Sequence, residues 1–598
     1  MKVDCYPISL LPRQSRLFLD YTSSHEPLAP FFASTPWSTS WANEIPQQDP
    51  AHRAQLADLL REQNKSWFDG SSVASDKIQA NIERLRQGSG AVVTGQQVAL
   101  FGGPLFTLLK AATIIRRAQD AGSGVPSELA RGGGGAVPIF WLASEDHDLA
   151  EADHVILPAR HALHTLRLNL DEAPASKPVG NLPLGPNIAQ VLDRAAELIG
   201  GTPEFDLLAA AYTPTATFTS AFARFLAATF ADYGLVVIDA STRAFHALGA
   251  PVLRQAITDA AALESLLHQR DQLLAERGYH SQVLVAPGSS LLFLIDEATG
   301  ARLPLRRKNG NWLAGKTPGA PFKPGVPDTP GVGVVGWKPV AGLSGQEPRQ
   351  SPGAPFKPSF GLSGQAKTVY STADLLAILE GAPERLSPNA LLRPVFQDFL
   401  LPTQAIIGGP AEIAYYAQNQ VLYQAILGRT TPVLPRLTAT LIEPAIAKIL
   451  DQYQLTLEDI LTTHPDELAH RLGARALPIE GKRRLSTAGN ALDDELDALL
   501  AWTESLSPAL ARAAQVSASK MRYQMNRLRR LAANDQLQRD ASIRRHVDTL
   551  SFNLFPDRHP QERTIGGIAY LARYGSELLA TLVDQAAQDC PGHKALWL

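Results

Sequence analysis

Between residues 91 and 240, short continuously apolar runs alternate with longer amphipathic stretches. AVVT (91–94) leads through TGQQVALFGGP into the helical LFTLLKAATIIRRAQD. PIFWLA (138–143) and HVILP (154–158) follow, and the helical TFTSAFARFLAATFADY delivers GLVVIDA (234–240). A strand that is apolar along its whole length must be covered on both faces, so the alternation predicts an α/β fold around a parallel sheet. Ligands of such sheets bind at the carboxyl ends of the strands.

The chain has 598 residues, which at roughly 100–200 per domain makes three or four units. With 45% hydrophobic and 19% charged residues it can bury sizeable cores, and a net charge of −3 gives no basic field for nucleic acid or anionic membrane. No apolar run approaches the roughly 20 residues of a membrane span. The only cysteines, Cys5 and Cys590, stand near opposite ends, so neither a disulfide framework nor a cysteine-rich zinc site is expected. That usage suits a reducing cytoplasm, and the N-terminal stretch is a poor signal peptide.

A Leu-, Pro- and Asn-rich insertion is predicted up to about residue 205, and SQVLVAP with LLFLIDEATGARLPL reads as antiparallel hairpins of an inserted subdomain. Within 308–366, GAPFKP occurs at 319–324 and 353–358, and GLSGQ at 342–346 and 361–365, a local duplication in a Pro/Gly-rich loop. Strand and helix resume through RPVFQDFLLPTQAIIGGPAEIAYYAQ and PVLPRL. Beyond about 440 the chain reads as helical. Leu492, Leu496 and Leu499, then Met521, Met525 and Leu528, recur three and four apart, as in an antiparallel coiled coil or helical arm. The arginines among them read as a solvated face.

Three segments carry candidate chemistry. FWLASEDHDLAEADH (140–154) ends an apolar strand in Glu145, Asp146, His147, Asp148, Glu151, Asp153 and His154. On a helix starting near Glu145, His147, Glu151 and His154 share a face and could hold a divalent ion. Acids in a helix's first turn also simply complement its dipole. Because Glu145 and Asp146 lie at the strand end itself, a polar socket for an ammonium or sugar hydroxyls is the preferred reading, with no metal assigned. Next, Gly103–Pro104 and Gly409–Pro410 each read as a helix start following a strand, and free N–H groups at such starts attract anions. The first matches neither the phosphate-loop nor the dinucleotide fingerprint. Thr107 and Lys110 lie near it. Third, Arg393, Gln397 and Asp398 flank a strand–helix junction, with Glu412, Tyr415 and Tyr416 in the helix that follows Gly409. Two such helix starts in one α/β domain point to a shared crevice.

TGQQ…GGPLFTLLKA, FWLASEDHDLAEADH, RPVFQDFLLPT…IGGPAEIAYYAQ and NLFP…QER, in this order, closely resemble the BshC family, the cysteine-adding enzymes of bacillithiol biosynthesis. The resemblance covers the chain apart from the 308–366 insertion. It implies a Rossmann-like core similar to class I nucleotidylyltransferases, with inserted connecting subdomains and a C-terminal coiled-coil domain that supports a homodimer. The expected boundaries are core 1–160, insertion 161–205, core 206–285, connecting insertion 286–370, core 371–440 and coiled coil 441–598. The implied reaction joins the carboxyl of cysteine to the amine of glucosaminyl-malate. ATP or ADP is the expected nucleotide, with Asn553 and Arg563 as candidate contacts. The HxGH signature of the synthetase-like superfamily is absent, the matching turn reading GGPLFT.

The catalytic candidates are Asp146, His147, Asp148 and Lys110. The substrate-binding candidates are Thr94, Gln96, Gln97, Gly103, Thr107, Glu145, Arg393, Gln397, Asp398, Gly409, Glu412, Tyr415 and Tyr416. A metal-dependent hydrolase or deacetylase, and a non-enzymatic nucleotide- or metabolite-binding module, are the competing readings.

Overall fold

The computed structural model describes residues 2–24, 26–68, 73–121, 135–159, 162–170, 176–315, 368–587 and 589–598. The repeated GAPFKP and GLSGQ words lie outside them. In chain order the strands are β1 (Val3–Tyr6), β2 (Ala91–Gln97), β3 (Val137–Ala143), β4 (His154–Pro158), β5 (Leu163–Arg167), β6 (Val236–Ile238), β7 (Ser289–Ile295) and β8 (Arg302–Lys308). They continue as β9 (Asn311–Ala314), β10 (Thr368–Tyr370), β11 (Leu386–Pro388), β12 (Thr403–Gly408), β13 (Val433–Pro435), β14 (Ala439–Ile442) and β15 (His593–Trp597).

The central sheet has the order β13-β12-β2-β3-β6, and every pairing in it is parallel. Side chains alternate between its faces, as the pleat requires. Val92, Phe140, Val237 and Ile407 enter one core, which includes helices Phe106–Asp120, Phe218–Thr229 and Gly567–Gln585. Val93, Ile139, Trp141, Val236 and Ile406 enter the other, with helices Arg393–Leu400 and Pro410–Leu427. The apolar runs of the sequence are thus strands buried on both faces in a Rossmann-like sheet. The chain moves outward from β2 to β3 in one direction and from β12 to β13 in the other, so the topological switch lies between β2 and β12.

HVILP departs from this sheet. It pairs antiparallel with β5 as a separate two-stranded ribbon. The connecting subdomain is an antiparallel sheet, β10-β9-β8-β7-β11. Its hairpin comes from LLFLIDEATGARLPL, whereas SQVLVAP forms no strand.

Two expectations about the chain ends are corrected. The region beyond 440 is not wholly helical, because β15 pairs antiparallel with β1 and parallel with β14. That pairing brings Cys5 and Cys590 together as a disulfide across a sequence separation of 585. Spacing along the chain carries no information about a sheet that joins its first and last segments. Before the return strand, helices Ile479–Leu506 and Pro508–Arg539 form an antiparallel hairpin, with Ser507 capping the second. Arg522 bridges Asp493 and Asp497 across it. Among the described residues no helix is long and apolar enough to cross a membrane.

The C-terminal part is fastened to the core by two adjacent buried side chains. The Gln561 amide bonds the main chain of Leu441 in both directions. Glu562 accepts from Arg436 at 2.6 Å and from the Ala439 N–H at 2.9 Å. Removing one member of a buried pair strands the other charge. Glu562→Ala is expected to cost about 3–5 kcal/mol, read as a lowered urea midpoint for the C-terminal region.

Candidate functional site

At the switch point charged and polar side chains gather at the carboxyl ends of β2 and β12. Among them is the ammonium of Lys110, which arises from the second turn of helix Phe106–Asp120 and is only 3% exposed. Its three donors reach Glu412 Oε1 at 2.8 Å, the Gly95 carbonyl at 2.7 Å and Gln96 Oε1 at 3.0 Å. Glu412 also caps its own helix, accepting from the Gly409 N–H at 2.7 Å. Burial works to raise the Glu412 pKa, but the Lys110 charge and hydrogen bond, the Gly409 N–H and Arg393 outweigh it and hold the carboxyl below its usual range. Burial pulls Lys110 down against the attraction of Glu412. Three acceptors around one nitrogen suit the ammonium form.

Beside this ammonium stand further cations. Arg393 begins its helix, donates to the Tyr415 hydroxyl at 3.2 Å, and has Nη1 3.4 Å from where a Cβ on Gly95 would lie. A Cβ at position 95 would touch the guanidinium and come within 3.3 Å of the Trp141 carbonyl. Lys110, Arg436 and Arg563 all lie within 6 Å of the Phe106 ring centre, at 5.7, 5.6 and 5.9 Å. Arg436 is spent on Glu562. Among the described residues no hydrogen bond holds the Arg563 guanidinium, whose charge is disfavoured first by burial and then by Arg436.

The acid cluster lies at the end of β3, joined to β2 by Gln97 Nε2 donating to the Asp148 carbonyl at 3.1 Å. Its helix is shorter than expected, only Leu149–Ala152, with Asp148 as the N-cap. His154 already belongs to β4 and bonds Asp153, so the helical face that would align His147, Glu151 and His154 does not form. Among the described residues no group of three or more His, Cys, Asp or Glu is placed to hold a metal. Asp146 and His147 are each nearly half exposed, and the His147 ring faces Phe293 of the connecting sheet at 6.5 Å. Burial, then Asp148 and Asp146, push the Glu151 carboxyl up.

Several candidates sit outside this charge cluster. Thr94 is buried and ties β2 to the Ile407 carbonyl of β12. Thr107 is fully buried, its hydroxyl beneath Gly103. The Gly103–Pro104 mouth is covered, because Leu105 N–H donates to the Ile565 carbonyl and Gly567 N–H to that of Gly103. Pro104 precedes the helix, which starts at Phe106. Gln397 and Asp398 are buried and bonded to each other, and Tyr416 is buried against Tyr415. Asn553 donates to the Thr549 carbonyl of its own helix. Residues not singled out in the sequence stand at or behind the site: Phe106 and Arg436 beside Lys110, and His246, Phe293 and Arg302 around the acid turn. Arg436 lies in PVLPRL, an apolar strand whose single charge was the available signal.

Two family models match most of the chain. Residues 1–318 and 359–437 match the N-terminal Rossmann-like domain of bacillithiol biosynthesis BshC, and residues 439–596 its C-terminal coiled-coil domain. It is 37% identical over 600 residues to a Koribacter versatilis protein named "Putative cysteine ligase BshC", covering 99% of each chain. A Solibacter usitatus relative of the same name is 31% identical over 601 residues and the full length of both, and one from Salinibacter ruber 29% identical over 592 residues, 97% of this chain and 96% of the relative. The fold, a Rossmann-like core carrying a coiled-coil arm, is that of this class of biosynthetic protein. The chain belongs to the BshC family.

Glu412 ionises more readily in the folded chain than in the unfolded one. Its contribution to stability is therefore complete above the ordinary value of 4.5 and is lost as pH falls through the depressed folded value. Glu412→Gln is expected to be less stable at neutral pH and to lose less stability on acidification, as urea midpoints from pH 7 down to pH 2 would report.

Proposed function

We propose that this chain is a cysteine ligase of bacillithiol biosynthesis, joining the cysteine carboxyl to the amine of glucosaminyl-malate. The observation that carries this is the charge cluster at the β2/β12 switch, where Lys110, Arg393 and Arg563 gather and the acid turn after β3 lies close to them. Amide formation from a carboxylate needs an activated acyl group, an uncharged amine and relief of negative charge in the transition state. Arg393, Arg563 and the Lys110 ammonium supply fixed positive charge for the carboxylate and for a phosphate of the activating nucleotide. We take that nucleotide to be ATP, with Arg563, whose guanidinium is free to bond, as the chain's phosphate contact.

On the acid turn, Asp146 and Asp148 orient the amine, and His147 takes its proton. Histidine is the side chain best matched to proton transfer near neutral pH, and this one is exposed to solvent and faces the connecting sheet. We propose a cytoplasmic location, where such a reaction would meet its substrates; the Cys5–Cys590 disulfide is the feature that does not follow from a reducing compartment. The names of the relatives support the ligase reading. The hydrolase alternative rested on the His147/Glu151/His154 face, which the fold does not build.

With cysteine, glucosaminyl-malate and ATP, the purified protein is expected to form the amide, followed by mass spectrometry. His147→Ala and Asp148→Ala are each expected to lower the rate by about 10²–10⁴-fold. Cells lacking the gene should lose bacillithiol and accumulate glucosaminyl-malate. Unchanged bacillithiol would overturn the assignment, and absence of binding to all three substrates would favour a non-enzymatic module.

We further propose that the helical hairpin makes a homodimer. Trp502 is 58% exposed, and Leu499, Leu506, Leu528 and Leu531 are each more than half exposed along the same arm. An apolar stripe of this kind calls for a partner surface. Trp502→Glu with Leu506→Glu is expected to halve the mass measured by light scattering.

A further inference from the structure

His246, on the short helix Arg243–Leu248, is fully buried, and neither ring nitrogen has a hydrogen-bond partner among the described residues. Leaving a buried polar group unpaired destabilises a fold, so such a group calls for a reason. The reason lies 3.6 Å away, where Nε2 faces Glu145 Oε1. That separation is just beyond hydrogen-bond length. The other side of the ring is fixed by Phe396, centre to centre at 5.4 Å.

Glu145 is the first residue of the acid turn after Ser144, whose hydroxyl is anchored to Asp239 at the end of β6. Its side chain is 17% exposed, so the carboxylate backs onto His246 yet stays within reach of solvent. Arg302, from β8 of the connecting sheet, adds positive charge beside it. That guanidinium donates to Ser387 Oγ at 3.0 Å and to the Pro388 carbonyl at 2.9 Å, lies 3.9 Å over the Phe293 ring, and is attracted by Glu145 and Asp146. The charged groups around the couple are therefore Glu145 and Asp146 from the β3 turn, Arg302 from β8, Asp239 from β6, and Arg393 from the helix that carries Phe396.

We propose that Glu145 is the receptor for a primary ammonium group of a substrate, and that His246 is the positioning residue that fixes it. When the ammonium meets one carboxylate oxygen, the His246 Nε2–H closes the remaining gap to the other. Hydrogen bonds of this kind are often long before substrate enters and tighten with it. A carboxylate on a flexible stem loses less freedom on binding if its second oxygen is already held. Two substrates of the ligase reading carry such a group, the α-ammonium of cysteine and the amine of glucosaminyl-malate, and this inference rests on that reading for its kinetic arm.

The test has two arms. In the first, KM for each substrate is measured separately. His246→Leu is expected to raise KM for the substrate whose ammonium is bound here by roughly tenfold to a hundredfold, the value of a charge-assisted hydrogen bond. The effect on kcat should be small. Leucine replaces an unpaired buried imidazole with an apolar side chain, so a purely structural His246 predicts unchanged KM and equal or greater thermal stability. His246→Gln, whose amide nitrogen reaches the position of Nε2, is expected to recover part of the loss. Which KM rises identifies the ammonium, and unchanged KM for both overturns the proposal.

The second arm needs no turnover. Ring-nitrogen NMR of the full-length protein labelled at histidine follows the Nε2 and Nδ1 signals of His246 at one fixed pH. Glu145→Gln replaces the facing carboxylate and should move the Nε2 signal. Glucosamine should perturb the same signal, and N-acetylglucosamine, which lacks the ammonium, should not. An Nε2 signal indifferent to both Glu145→Gln and glucosamine would overturn the couple even if the ligase assay succeeds. A shifted signal with no ligase activity would retain the couple and reject the reaction.

Discussion

The site depends on one ion pair whose cation is almost wholly removed from water. Lys110 and Glu412 belong to helices on opposite faces of the sheet, and their 2.8 Å contact spans the gap between β2 and β12. Because Glu412 also satisfies the start of its own helix and Lys110 also holds the Gly95 carbonyl and Gln96, the pair fixes both strand ends at once. A parallel sheet offers its ligands only backbone ends and helix starts. In this chain those ends are joined by charges, and the remaining cations rest on them. Arg393 sits over Gly95, and Arg436 and Arg563 flank Phe106.

A consequence is that the charge cluster is assembled from segments far apart in sequence. Arg436 is held in its place beside Phe106 by Glu562, from the C-terminal part. The connecting sheet supplies Phe293 and Arg302 opposite the acid turn. The three structural units therefore share one set of charges, so a perturbation in the outer parts reaches the site through pairings rather than through long-range field. At −3 the net charge is small, and exposed charges are screened within about 10 Å.

Much of the core was legible in the sequence because its signals are local. Continuous apolar runs identified β2, β3 and β12, and the three-and-four spacing of leucines identified the hairpin arm. HVILP misled because a short apolar run suits an antiparallel ribbon as well as a central strand. The closing strand β15 was hidden in HKALW, too short for any periodicity to register. At the site, Lys110, Glu412, Arg393 and Tyr415 were visible as charged or polar groups beside glycine turns, and the structure brings these four together. Thr107 and the Gly103 mouth were misleading for a tertiary reason, since residues 565–567 cover them. His246 gave no signal at all, because a histidine in RAFHAL is meaningful only once Glu145 stands against it.

The pairing of the ends also bears on how the molecule comes into being. Among the described residues β1 has one strand partner, β15, at the far end of the chain. A ribosome releases residues 3–6 long before residues 593–597 exist, so the first strand made must wait for nearly the whole chain to be synthesised before it can pair. The central sheet, whose last strand ends at Pro435, has no such wait. Assembly thus finishes at the beginning: the strands of the central sheet can pair during synthesis, helix Gly567–Gln585 later completes the core on one face, and the final residues close the sheet that unites the two termini.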